Sequence, residues 1–308
     1  MPRPILIDCD PGTDDAVALM ASFASEDLDV VAVTSVAGNV GIEYTTKNAL
    51  DIVELAGSKA PVGKGASVPM FREQVQASHV HGPDGLHGIQ IAQSDKQVTS
   101  DAISLIYEMV NKYENDLEIL AIGPLTNLAQ TFKIYPEITQ KIKRIVLMGG
   151  GHRIGNVTPV AEFNIFADAE AAQIVFQSGI EIHMIGLDVT TARGLNYDEA
   201  SALLNGTNDQ IDFLNQLLLD RVSAEGNQYP QEAYIHDVIA LLYMIDPTIL
   251  SGDWYHVDVE TKSSISYGKT VVDYYHVTQS SKNCWVALEL NFAKYLKLLT
   301  TTLKRYEN

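Results

Sequence analysis

Pro4-Ile5-Leu6-Ile7-Asp8-Cys9-Asp10-Pro11-Gly12-Thr13-Asp14-Asp15-Ala16, near the start of the chain, is the stretch from which the fold is read. Its apolar run reads as a buried strand, Pro11-Gly12 as a turn, and Ala16-Val17-Ala18-Leu19-Met20 as the beginning of an apolar-periodic helix. Four aspartates therefore crowd one strand-to-helix corner. Like charges that close cannot all stay ionised without a partner. Oxygen-only ligands with no paired His or Cys beside them favour a hard cation, Ca²⁺ or Mg²⁺, over Zn²⁺. A turn role for Asp10 and helix-dipole roles for Asp14 and Asp15 account for one or two of these residues. They do not account for four.

Working outward, residues 29–36 read as a second buried strand ending at Ala37-Gly38-Asn39. A helix over 42–56 closes at Gly57, and 61–63 is a short third strand. Residues 64–99 are polar, glycine-rich and long for a connection, so they form a candidate functional loop containing Ser78-His79-Val80-His81-Gly82-Pro83-Asp84-Gly85. Alternation then resumes. A helix over 101–113 is expected to be capped by Ser100 or Thr99. A strand over 117–122 leads through Gly123-Pro124-Leu125-Thr126-Asn127 into another helix, and a strand over 144–148 ends in Gly149-Gly150-Gly151. A helix over 168–177 and a strand over 182–185 follow.

Strands alternating with helices predict βαβ units: an α/β fold whose mainly parallel central sheet is flanked by helices, open and doubly wound. Helices dominate from Asp188 to Ile245. The alternating segments 263–267, 271–277 and 285–290 predict additional, partly antiparallel strands near the C-terminus, before a last helix over 292–303. Open α/β sheets bind ligands outside the carboxyl ends of their strands. Asp8, Asp10, Asn39, the Ile122-Gly123 corner, Met148-Gly149 and Asp188 all fall at such ends, so they are expected to converge on one rim.

With 308 residues, 46% of them hydrophobic, the chain can bury a large core. No linker, low-complexity tract or repeat divides it, and one domain over 1–308 is expected. A formal charge of −18 argues against nucleic acid or an anionic membrane as partner, and disfavours anionic substrates. There is no run of about 18 apolar residues to form a transmembrane helix. Met1-Pro2-Arg3-Pro4 leads directly into a strand, so no signal peptide is expected. Two cysteines, Cys9 and Cys284, are too few for a disulfide framework, which makes a reducing cytoplasm the expected location. The strand period turns Cys9 away from the side of Asp8 and Asp10, predicting a buried structural thiol.

Asp8-Cys9-Asp10-Pro11-Gly12-x-Asp14-Asp15-Ala16 resembles the N-terminal signature of the inosine-uridine nucleoside hydrolases, and later stretches match the same family from about residue 3 to the C-terminal helix. The resemblance implies calcium-dependent hydrolysis of the N-glycosidic bond of ribonucleosides, and a homo-oligomer, dimer or tetramer. It implies one Ca²⁺ held by Asp10, Asp15, the backbone carbonyl of Ile122, and Asp237. Calcium takes six to eight oxygens, so water and a substrate diol complete the shell. Taken alone, Asp237, at the start of the apolar 236–244 stretch, would be a helix cap more often than a ligand.

In Asn156-Val157-Thr158-Pro159-Val160-Ala161-Glu162-Phe163-Asn164, side chains read alone either bond their own backbone or recognise vicinal hydroxyls. The resemblance implies the second, with Asn156, Glu162, Phe163 and Asn164 at the ribose and Asp14, Asn39 and Met148 joining them. Asp10 would act as general base on a calcium-bound water attacking C1′, while Asp10, Asp14 and Glu162 stabilise an oxocarbenium-like sugar. His236, beside Asp237, and His81, in the long loop, are the candidate proton donors to the leaving base. Base preference is expected to reside in residues 64–99 and 220–234, the latter carrying Tyr229 and Tyr234.

Two rivals share this corner. Asp8-x-Asp10 also resembles the haloacid-dehalogenase phosphatases, with magnesium as the ion. Such a site wants a phosphate-cradling lysine and a later acidic pair, whereas this chain has three glycines after its Met148 strand. A non-catalytic nucleoside or sugar binder stabilised by calcium would keep the residues but show no turnover.

Overall fold

The computed structural model describes residues 2–223 and 232–307. Strand β1 (Arg3–Cys9) runs through Gly12 into helix α1 (Thr13–Ala24). The Asp15 carboxylate accepts the backbone N–H of Gly12, closing the helix start. Next come β2 (Leu28–Ser35), α2 (Ile42–Leu55), β3 (Val62–Lys64), the one-turn α3 (Ser78–His81), β4 (Ser100–Asp101) and α4 (Ala102–Tyr113). The chain returns through β5 (Glu118–Ala121), α5 (Thr126–Ile134), β6 (Arg144–Met148), α6 (Phe163–Ala167), α7 (Ala169–Phe176) and β7 (Ile182–Ile185). Helices α8 (Leu187–Thr190), α9 (Tyr197–Ser201), α10 (Asp209–Ser223) and α11 (His236–Ile245) precede β8 (Leu250–Tyr255), β9 (Val257–Val259), β10 (Thr270–Val272), β11 (Cys284–Leu290) and α12 (Phe292–Leu303).

Among the described residues, nine strands form one sheet in the order β4-β3-β2-β1-β5-β6-β7-β11-β8, with β9 and β10 as a separate antiparallel pair. Within this sheet of described strands, neighbours from β4 to β11 are parallel and the β11–β8 pairing is antiparallel. The chain winds outward from β1 to β4 and then comes back to place β5 on the other side of β1. That reversal leaves a crevice at the carboxyl ends of β1 and β5, where doubly wound sheets hold their ligands.

Strand alternation divides the core in two. Ile5, Ile7, Cys9, Leu120 and Val146 face α1, α2, α10, α11 and α12, whereas Leu6, Ala32, Ile119, Ile145 and Leu147 face α4, α5 and α7. Cys9 is fully buried with Sγ 3.7 Å from the Thr34 carbonyl oxygen, and burial pushes its thiol far up. It is no nucleophile.

At the opposite rim, fully buried Glu118 accepts from Arg3 Nη1, Lys143 Nζ, and Arg144 Nε and Nη2 at 2.8–3.1 Å. Burial raises its carboxyl, but the donors Lys143 and Arg144 and the Arg144 and Arg3 charges hold it below the ordinary value. Its stabilisation is thus complete above the unfolded carboxylate pKa of about 4.3 and is lost as pH falls through the lower folded value. Glu118→Gln is expected to cost about 1.5–3 kcal/mol in urea unfolding at pH 7, with the deficit shrinking as the solution is acidified.

Four local expectations are corrected. Residues 263–267 form turns rather than a strand, because Glu260 and Ser263 side chains accept the N–H groups of Lys262, Ser263, Ile265 and Ser266. Ile265 is 86% exposed, so its alternation has no core to face. The expected strand over 271–277 stops at Val272, where Asp273 accepts the backbone N–H groups of Val277 and Thr278. Neither Thr99 nor Ser100 caps α4; Asp101 does, accepting Ser104 N at 2.9 Å, while Ser100 pairs in β4. Asp168 likewise caps α7 rather than belonging to it.

Candidate active site

Asp10 leaves the end of β1 beneath the crevice. Its Oδ2 accepts Asn39 N at 2.6 Å, while Oδ1 is buried without a hydrogen-bond partner among the described residues. Two glycines make room for this carboxylate. A Cβ at Gly38 would collide with Asp10 Oδ2, and one at Gly123 would lie 2.6 Å from Oδ1. Asp15, in the first turn of α1, accepts Asp10 N at 3.2 Å, Gly12 N at 3.0 Å and Asn39 Nδ2 at 3.1 Å. Asn39 also donates to Asp10 O at 3.1 Å, so one amide ties together the ends of β1 and β2 and the start of α1.

Asp237 enters from the first turn of α11, and the carboxylates of Asp14, Asp15 and Asp237 approach within 4.8 Å of one another. All three are buried. Burial first, then repulsion from neighbouring carboxylates, pushes Asp10 and Asp237 well above the ordinary range and Asp15 to about 7. Asp14 moves the other way: against burial, the nearby His81, Arg221 and His236 hold it low. Packed carboxylates together with an orphaned buried oxygen are the donor set that a hard divalent cation compensates.

Above this floor lies a cavity of about 360 Å³. Among the described residues its lining includes Asp14, Asn39, His81, Ile122, Met148, Asn156, Glu162, Phe163, Asn164, His236 and Asp237. The structure therefore brings the candidate metal-binding, ribose-binding and proton-donor residues together, with Asp10 and Asp15 hydrogen-bonded to Asn39 of the lining. Asn164 Nδ2 donates at 3.1 Å to the carbonyls of Ile122 and Met148, joining the ends of β5 and β6. Glu162 accepts Asn164 N, Gly150 N and Ile165 N at 2.9–3.2 Å, and burial still raises its carboxyl to about 7. Asn156 Oδ1 accepts Phe163 N at 2.9 Å. Both Asn156 and Glu162 thus bond nearby backbone while also bordering the cavity.

The cavity is also rich in histidine, and His81 Nδ1 lies 3.8 Å from Asp14 Oδ1. His81 Nδ1 accepts the Thr13 backbone N–H at 3.2 Å, and burial drives this imidazole down to about 3. His236 Nδ1 lies 2.9 Å from Thr190 Oγ1; burial lowers it to about 4. Tyr234 stacks on His236 with 6.2 Å between ring centroids, whereas Tyr229 lies outside the described residues. His87 and Arg221 also line the cavity and carry no local sequence signal: long-range packing of the 64–99 loop against α10 brings them in, with His87 Nδ1 2.9 Å from Asp220 Oδ2.

Two rim residues serve elsewhere. Asp8 accepts Thr34 Oγ1 at 2.5 Å and Asn127 Nδ2 at 2.7 Å, bracing β1 against β2 and α5, and burial raises it to about 6. Asp188 accepts His152 N and Arg153 N, fastening the loop that follows Gly151.

A doubly wound sheet carrying a carboxylate-floored cavity at its switch point defines an α/β protein built to bind a small polar molecule around a cation. The chain belongs to the inosine-uridine preferring nucleoside hydrolase family, whose pattern matches residues 5–297. It is 33% identical to the inosine-uridine preferring nucleoside hydrolase of Leishmania major, over 99% of this chain and 98% of that one. It is 37% identical to the pyrimidine-specific ribonucleoside hydrolase RihA of Escherichia coli, over 99% and 100%. The solved purine-preferring ribonucleoside hydrolase from Gardnerella vaginalis superposes with a TM-score of 0.92 at 30% identity, covering 98% of each chain. The protein is an enzyme, a nucleoside hydrolase that cleaves the N-glycosidic bond of ribonucleosides. No helix among the described residues is long and apolar enough to cross a membrane.

Proposed function

We propose that the cavity floor holds one calcium ion through Asp10, Asp15, Asp237 and the carbonyl oxygen of Ile122, and that Asp10 is the general base of nucleoside hydrolysis. The observation that carries this reading is Asp10 Oδ1, partnerless among the described residues and buried at the switch point beside carboxylates whose ionised forms burial and mutual repulsion disfavour. Calcium bound there would supply the charge that grips the ribose 2′ and 3′ hydroxyls and acidifies a water.

Asn39 N anchors Asp10 Oδ2, so Oδ1 is oriented to take the proton of the attacking water as its oxygen bonds C1′. Asp14, Asn39, Met148, Asn156, Glu162, Phe163 and Asn164 surround the ribose, and the carboxylates among them favour positive charge developing on the sugar. His81 and His236, which line the same cavity, face the base. The same acidic field opposes a phosphomonoester, which weighs against a magnesium phosphatase.

Release of reducing sugar from inosine or uridine, with p-nitrophenyl phosphate as control, separates a hydrolase from a phosphatase and from a binder without turnover. Asp15→Ala is expected to weaken calcium binding by more than about 10²-fold, since even partners behind a ligand are worth 10–100-fold, and to abolish turnover at micromolar calcium. Unchanged calcium content and activity in that variant would remove the metal site.

A further inference from the structure

The acids that favour positive charge on the sugar also oppose the electron pair that arrives on the departing base. A cavity that only attracted cations would help one side of the breaking bond and hinder the other. Among the described lining residues, Arg221 is the one lysine or arginine. It sits in the last turn of α10, on the wall of His81, His87, Tyr234 and His236, with Nη2 donating to Tyr234 O at 3.1 Å. Its neighbour Asp220 meets His87 of the long loop, fixing this turn of α10 against the cavity. The Arg221 charge is felt at Asp14, His81 and His236, which places it within reach of both the floor and the wall. His81 cannot supply a comparable charge in this arrangement. A backbone N–H can only donate, so Nδ1, which accepts from Thr13, carries no proton and the ring is neutral.

We propose that Arg221 is a catalytic residue for leaving-group departure, its guanidinium meeting the nucleobase and stabilising the negative charge that develops there. The proposal rests on the reading that the ribose lies over the carboxylate floor. The C1′–N bond breaks with both electrons passing to the base nitrogen. Water oxygen forms the new bond to C1′ and gives its proton to Asp10. The base anion, held against the guanidinium, takes a proton from solvent as it leaves, and Asp10 returns its proton to solvent. A positive charge beside the base and negative charge beside the sugar then act on the same bond in the same direction.

The test compares wild type, R221Q and R221K on inosine, uridine and p-nitrophenyl β-D-ribofuranoside, whose nitrophenolate departs with little help. R221Q is expected to lose about 10²–10³-fold in kcat on both nucleosides, the usual worth of one preorganised donor, and to stay within a few-fold of wild type on the nitrophenyl riboside. R221K, which keeps the charge, should recover part of the nucleoside loss. Equal losses on all three substrates, or no loss, would overturn the role. If R221Q does not fold, R221K decides alone: a fall confined to the nucleosides supports the proposal and an equal fall on all three overturns it. Wild-type protein that released no ribose from any substrate would instead overturn the hydrolase reading, and this proposal with it.

Discussion

Asp10→Asn is expected to lower kcat on inosine and uridine by about 10²–10⁴-fold at saturating calcium, the range a positioned general base contributes. The substitution keeps the shape of the side chain, and an amide oxygen can still accept Asn39 N, but an amide cannot take a proton from water. Steady-state kinetics at saturating calcium test the chemical step apart from the loss of one cation ligand. A near wild-type Asn enzyme would refute the role.

Stability moves differently from activity. Burial and the Asp15 charge hold the Asp10 carboxyl well above its ordinary value, so in cation-free protein the folded state binds a proton that the unfolded state has released. Unfolding free energy then falls as pH rises from the ordinary carboxylate range toward that higher folded value. Asp10→Asn removes this contribution, so the variant without calcium is expected to unfold no more easily than wild type at pH 7 and to show a flatter dependence on pH. Thermal unfolding with and without chelator measures both. An inactive variant that is also broadly destabilised would assign Asp10 to structure.

Discrimination against 2′-deoxynucleosides is expected to reach roughly 10⁴ in kcat/KM, as for sites built to hydrogen-bond a hydroxyl that the analogue lacks. Asp14, Asn39, Glu162 and Asn164 are each buried to within 7% exposure yet border the cavity, so a missing hydroxyl leaves desolvated polar groups unpaired. The comparison of inosine with 2′-deoxyinosine is direct. Comparable turnover of the two would mean that the polar wall and its cation do not grip the diol.

The βαβ alternation was legible because it depends on local properties: an apolar run, a Pro-Gly turn and a helical period stand next to one another in the chain. Helix ends were less so. Asp101 and Asp168 each cap a helix, and several polar residues stood at either boundary to do it. Of the expected strands beyond residue 262, that over 285–290 is present within β11, whereas 263–267 was lost and 271–277 shortened because alternation alone does not supply a packing face, and Glu260, Ser263 and Asp273 offered the backbone nearer partners.

The sequence by itself determined the class of fold, the family resemblance, and the set of polar residues at the carboxyl ends of the strands, since period and turn chemistry fix where each strand stops and which way its side chains face. Tertiary structure alone decided which of those residues share a cavity. Asp8 and Asp10 are two positions apart at the end of β1, yet Asn127 and Thr34 engage Asp8 while Asp10 is left with a buried oxygen unpaired among the described residues, beside Asp15. Arg221 and His87 reach the same cavity only because α10 packs against the long loop. A carboxylate's charge and a cation's reach depend on groups within a few ångströms, and those neighbours come from as near as 5 residues along the chain, as Asp15 to Asp10, and from as far as 119, as Asn127 to Asp8.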